Sequence, residues 1–162
     1  MQREINTMQF IKNGPDIPER LLQAHEDGRV VFFCGAGISY PAKLPDFAGL
    51  VNGIFTKLAY EPTEVQKAAI KAGQFDTAIG LLEGEIVGGR LVVRKALAEI
   101  LEPDLSAPGA SDTHQAILTL GKSRQGQTRV ITTNFDRVFE ELIHSSSVKL
   151  ETFSAPFLPI QK

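Results

Sequence analysis

The chain has 162 residues, 43% of them hydrophobic and 22% charged, which is enough apolar side chain for one globular domain with a packed core. A net charge of −2 supplies no basic footprint for nucleic acid, and a lone cysteine excludes an intrachain disulfide or a multi-cysteine zinc cage within the chain. The opening run MQREINTMQFIKNGPD has no apolar core of signal-peptide length, and no stretch approaches the roughly 20 apolar residues of a membrane span. The expectation is a cytoplasmic protein without membrane contact.

In chain order, Asp16 with Glu19 reads as a capping box for a short helix through Leu21, Leu22, Ala24 and His25, which Gly28 ends. Val30 to Cys34 is a continuous apolar run, the pattern of a strand covered on both faces of a parallel sheet. Gly35 and Gly37 then form a turn that leaves room for a ligand against bare peptide N–H groups, with phosphate the usual occupant. Pro41 and Pro45 are expected to keep Tyr40 to Leu44 extended, so that no helix starts directly from Gly37. Asp46 caps the next helix, whose stripe is Phe47, Leu50, Val51, Ile54, Phe55 and Leu58.

Over about residues 61–101 the β signals vanish and two or three helices follow. One apolar face is Phe75, Ala78, Ile79, Leu82 and Ile86; a second is Val92, Val93, Ala96, Leu97, Ile100 and Leu101, beyond a break at Gly88 and Gly89. Pro103, Pro108 and Gly109 mark a returning loop, after which Ser111 or Asp112 caps a helix carrying His114, Ile117, Leu118 and Leu120, closed by Gly121. A polar connector from Lys122 to Gln127 leads to a β-branched strand from Arg129 to Thr133 that stops at Asn134 and Asp136, just before a helix from Arg137 to His144. A serine turn from Ser145 to Ser147, a strand from Val148 to Phe153 and an extended loop from Ser154 to Lys162 complete the pattern. A last strand so near the terminus predicts a chain incomplete at its C-terminal end. The expected fold is one α/β domain over residues 1–162, a doubly wound Rossmann-like parallel sheet with a helical insertion at about 61–101. In such sheets ligands sit beyond the carboxyl ends of the strands, so both polar strand ends would face one crevice.

Glycine-loop chemistries are separated by spacing. A phosphate-binding P-loop needs lysine and serine or threonine directly after its second glycine, and the nearest lysine here is Lys43. A dehydrogenase fingerprint needs a third glycine opening into a helix, but Tyr40 and Pro41 stand there, and no second strand ends in an acidic residue before Glu61. What remains is GAGIS at Gly35 to Ser39, LPDF at Leu44 to Phe47, SDTHQAILTL at Ser111 to Leu120 and TTNFD at Thr132 to Asp136. This order resembles the sirtuin superfamily, with its GAGIS turn, its PDF segment, its H-x-x-L-x-x-L helix and its TQN-I-D strand end around an NAD crevice.

The resemblance implies that Gly35, Ala36, Gly37 and Ser39 approach the NAD phosphates and ribose. It places Asp46 and Phe47 beside the nicotinamide end, Asn134 near the nicotinamide ribose as the catalytic residue, and Asp136 near the carboxamide; Thr133 belongs to the same cofactor-binding set. Cleaving the nicotinamide–ribose bond develops positive charge on the sugar, so neutral polar groups that orient the ribose and a water matter more than a strong base. Asn134 suits that role as donor and acceptor. Helix capping is the plainer reading of Asp46 and Asp136, core packing of Phe47 and His114, and a small buried hydrophobe of Cys34.

The departures from the family pattern are Ala48 where an arginine follows PDF, and a single cysteine where two CxxC pairs bind zinc. No zinc is therefore expected. Zinc-free relatives with TTN-[FY]-D resemble the bacterial sirtuin-like domains of antiphage defence, which hydrolyse NAD itself to nicotinamide and ADP-ribose. The implied function is thus an NAD hydrolase with NAD as substrate, acting in a homo-oligomer or a larger defence complex. Two alternatives stand beside it: an NAD-dependent protein deacylase, and a non-catalytic module that binds NAD or ADP-ribose and drives oligomerisation. The family histidine follows the asparagine strand in a His-Gly context that His25, His114 and His144 do not match, so the general base is expected beyond Lys162.

Overall fold

The computed structural model describes residues 6–146 and 150–154. It is a mixed α/β structure in which helices predominate. Two short strands, β1 (Thr7–Met8) and β2 (Ile17–Pro18), pair antiparallel and lead into α1 (Glu19–Glu26). The capping box expected at Asp16 does not form. Ile17 and Pro18 are committed to the ladder, Pro18 with its fixed φ takes the N-cap position, and Asp16 accepts a hydrogen bond from Gln9 Nε2 (3.0 Å). Gly28 follows the C-cap at φ +67°, the left-handed conformation that ends a helix without penalty in glycine.

The strands β3 (Phe32–Cys34) and β4 (Val130–Thr132) pair in parallel, Phe32 opposite Val130, Phe33 opposite Ile131 and Cys34 opposite Thr132. Among the described residues parallel pairing is limited to this two-stranded unit, short of the expected doubly wound sheet. Nor is β3 covered on both faces. Successive side chains alternate across a strand, and while Cys34 is buried, Phe33 is 70% and Ile131 50% exposed. The strand expected over 148–153 is absent from the described residues 150–153, and 148–149 lie outside them, as does 155–162 of the expected terminal loop.

After Gly35 the chain enters a 3₁₀ helix, Ala36–Ala42, where extended backbone was expected from Tyr40 onward. The tighter i→i+3 pattern tolerates Pro41, whose fixed φ already suits it; Ile38 N donates to Gly35 O (3.3 Å) and Lys43 N to Tyr40 O (2.9 Å). Asp46 then caps α2 (Phe47–Lys57) as expected, its Oδ1 accepting from Gly49 N at 2.7 Å.

The predicted helical region is three helices, α3 (Glu64–Lys71), α4 (Phe75–Glu85) and α5 (Gly89–Ile100), with Gly88 and Gly89 both at positive φ in the break between the last two. They close around α2: Leu50, Val51, Ile54 and Phe55 pack with Ala69, Ala78, Leu82 and Val93 in the main core. Thr63 and Gln66 form a reciprocal capping box at the start of α3, and the Gln66 amide, fully buried, donates to Glu85 at 3.0 Å. The chain returns through α6 (Asp112–Leu120), capped by position at Ser111 though without a side-chain bond, and passes by way of β4 into α7 (Val138–Ser145). A second small core of Ala42, Leu44, Ala110 and Val138 fastens the 3₁₀ segment to the start of α7. None of the described helices is long and apolar enough to cross a membrane.

Candidate functional site

Parallel pairing brings the ends of β3 and β4 side by side, because Cys34 and Thr132 are register partners. Thr133 seals the pair: its N donates to Cys34 O at 3.1 Å and its hydroxyl reaches the same carbonyl at 3.5 Å. The residues that follow each strand therefore meet although about a hundred positions separate them. Ser39 Oγ donates to Asp136 Oδ2 at 2.8 Å across 97 positions and accepts from Asn134 Nδ2 at 3.2 Å across 95.

Asp136 has a second duty, its Oδ1 accepting from Val138 N at 3.1 Å in the first turn of α7. Arg137 rather than Asp136 takes the N-cap position of α7, one residue later than expected, but Asp136, like Asp46, accepts a backbone N–H at a helix start while bordering the cleft described below. Asn134 is braced from behind by its own N–H, which donates to Thr132 Oγ1 (3.1 Å). Its side-chain Oδ1 is buried and has no hydrogen-bond partner among the described residues. A buried acceptor left without a donor is costly, so it is a natural receptor for a ligand hydroxyl, amide or water.

These residues line one shallow cleft that is open to solvent. Six of the sequence candidates border it: Ala36, Ser39, Asp46, Phe47, Asn134 and Asp136. Leu44, Pro45, Leu50, Leu101 and Phe135 complete the wall. Gly35, Gly37 and Thr133 are not part of the lining. Neither Gly35 nor Gly37 has a positive φ, so the turn itself does not demand glycine, contrary to the sequence reading. An added Cβ at either would meet nothing within 4 Å, so no close approach demands glycine there either.

Phe47 is half exposed, stacks on Phe75 (6.5 Å between centroids, 8° between planes) and meets Phe135 edge-on (6.1 Å, 90°). This aromatic rim was only partly legible. Phe75 looked like ordinary core, and Phe135 sits inside the TTNFD motif without a stated role; its 64% exposure at the cleft is what the structure adds. The wall holds two carboxylates, Asp46 and Asp136, and no lysine or arginine. That balance favours a positively charged group inside the cleft over a phosphate.

Behind the cleft lies His114, fully buried, its Nε2 3.3 Å from Ser39 Oγ and its ring edge-on to Phe139 (4.7 Å, 70°). Burial pulls its pKa below the ordinary imidazole value, and the nearby Asp136 charge offsets only part of this. His25 is occupied elsewhere, with Nε2 2.7 Å from Leu120 O, and His144 is exposed in the last turn of α7. None of the three histidines lines the cleft. Cys34 is buried at the end of β3 and its thiol pKa is pushed up by desolvation, which keeps it protonated and unreactive, in line with the plain reading.

No protein-family profile and no solved structure matches the chain. A protein of Sinorhizobium fredii (strain NBRC 101917 / NGR234), described as "Uncharacterized protein y4cA", is 35% identical over 147 residues. The alignment covers 88% of this chain and 12% of that relative, so the chain spans about an eighth of the relative's length.

Proposed function

We propose that the chain is a zinc-free sirtuin-like domain, with the doubly wound Rossmann-like architecture of that superfamily, whose cleft takes NAD as substrate and cleaves its nicotinamide–ribose bond. The observation that carries this reading is the junction of the motifs. The serine of GAGIS is hydrogen-bonded to both the asparagine and the aspartate of TTNFD, and the PDF segment borders the same cleft.

The chemistry of the wall supports it. The nicotinamide ring of NAD is cationic, and two carboxylates with an aromatic rim of Phe47 and Phe135 suit a flat cation. The pyrophosphate would lie outside, against the open backbone at Gly35 and Gly37. Asn134 Oδ1, buried and without a partner, would accept from a ribose hydroxyl or an attacking water and orient it, while Asp136 and Ser39 hold the amide in place. Breaking the glycosidic bond places positive charge on the sugar, which the carboxylate-lined cleft stabilises without a strong base. The setting we propose is a cytoplasmic effector of bacterial antiphage defence, working as an oligomer or as part of a longer protein.

The test is to incubate the protein with NAD, with and without an acyl-lysine peptide, and to follow nicotinamide and ADP-ribose by chromatography. Hydrolysis predicts both products in equal amounts without peptide. Release that requires the peptide would replace this reading by the deacylase one, and saturable NAD binding with no release would replace it by the binding module.

A further inference from the structure

We infer that His114 is a positioning residue: its Nε2–H donates to Ser39 Oγ and completes the set of contacts that fixes the hydroxyl holding the Asn134 amide. The protons around one oxygen carry the assignment. Ser39 is 1% exposed, and its hydroxyl has three polar neighbours: Asp136 Oδ2 at 2.8 Å, Asn134 at 3.2 Å and His114 Nε2 at 3.3 Å. A hydroxyl offers one proton and two lone pairs.

The carboxylate of Asp136 can only accept, so the one proton of Ser39 goes to it. Both lone pairs must then receive donors. Asn134 must turn its Nδ2 inward, and His114 must carry its proton on Nε2. The oxygen is thereby saturated, with two donors in and one proton out. The consequence appears at the far ends of the same side chains, where His114 Nδ1 and Asn134 Oδ1 are buried with no partner among the described residues. Both are the acceptor atoms that this proton count leaves over.

Without the imidazole donor one lone pair of the buried Ser39 oxygen is left empty, and the hydroxyl that receives Asn134 Nδ2 loses one of the three contacts that fix it. The Asn134 amide is then held less firmly, and its Oδ1 is no longer kept in one place for a ligand. The edge-on contact with Phe139 fixes the ring plane, so His114 is held for this one bond. That His114 acts on turnover rests on the NAD-cleaving reading; the hydrogen-bond assignment does not.

The experiment has two arms. Nitrogen-15 NMR of the histidine-labelled protein should show His114 neutral at neutral pH, protonated at Nε2 and bare at Nδ1. The opposite tautomer would overturn the inference whether or not the protein has activity. In the second arm nicotinamide release is measured for His114→Leu and His114→Gln, the glutamine carrying an amide nitrogen able to stand in for Nε2–H. The leucine variant should lose about tenfold in kcat, with a melting temperature close to that of the glutamine variant, and glutamine should restore kcat to within about threefold of wild type. Equal kcat in the two variants would overturn the positioning role. Absence of nicotinamide release from the wild type would instead defeat the functional reading and leave the tautomer to decide the hydrogen-bond assignment.

Discussion

Ser39→Ala removes one oxygen and disturbs three partners at once. The side chain is 1% exposed, so no bulk water replaces the hydroxyl. His114, fully buried, is left with a stranded Nε2–H, and Asp136 loses its 2.8 Å donor; the Asn134 amide can turn toward water in the cleft and loses little. A stranded buried donor costs about 1–3 kcal/mol, and a hydrogen bond to a charged acceptor contributes about 1.5–3 kcal/mol. Because the bonds share one oxygen they do not simply add, and the expected loss is about 3 kcal/mol. Urea denaturation followed by circular dichroism should show this as a lower midpoint at unchanged slope, with a melting temperature lower by about 6–12 °C for a chain of this size. A loss below about 0.5 kcal/mol, the size of an ordinary surface substitution, would refute the buried network.

Asp46→Ala should cost about 1 kcal/mol through loss of the cap on Gly49 N, and should also weaken NAD binding; a stability loss with unchanged affinity would leave Asp46 a cap alone. Gly37→Leu should leave the melting temperature within a few degrees of wild type, since a Cβ there meets no atom within 4 Å and the backbone has no positive φ, yet reduce NAD affinity at least tenfold by calorimetry; unchanged affinity would remove the phosphates from this loop. The depressed pKa of His114 gives a pH signature. The unfolded chain takes up this proton first as pH falls, so stability is complete above about pH 6.5 and declines toward the lower folded pKa, by at most about 1.4 kcal/mol per pH unit. Urea midpoints measured across that window should show the decline in wild type and a shallower one in His114→Gln; parallel curves would contradict it.

Elements whose signal is local were legible in the sequence. The 3.6-residue stripes gave α2, α4 and α5 because burial of one face decides a helix, and Asp46 announced its cap because capping is a contact three residues long. The 3₁₀ segment was misread because prolines forbid an α-helix interior more strongly than they forbid one tight turn after another. Burial of β3 was misread for a different reason. VVFFC is apolar throughout, and composition cannot tell a strand covered on both sides from one that leaves Phe33 in the open. At the site, Ser39, Asn134 and Asp136 were found through motif order, whereas the link from Ser39 to His114 spans 75 residues and depends on how α6 packs under the strand ends. No spacing rule reports such a contact.

The most direct measurement is the rate of nicotinamide release from NAD by wild type and by Asn134→Ala under identical conditions, read by proton NMR. Wild type should release nicotinamide steadily, with a loss of about 10²–10³-fold in the variant, the size expected when one preorganised dipole is removed from a cleft that stabilises developing charge. Undiminished release by Asn134→Ala, or a wild type that binds NAD and leaves it intact, would contradict this.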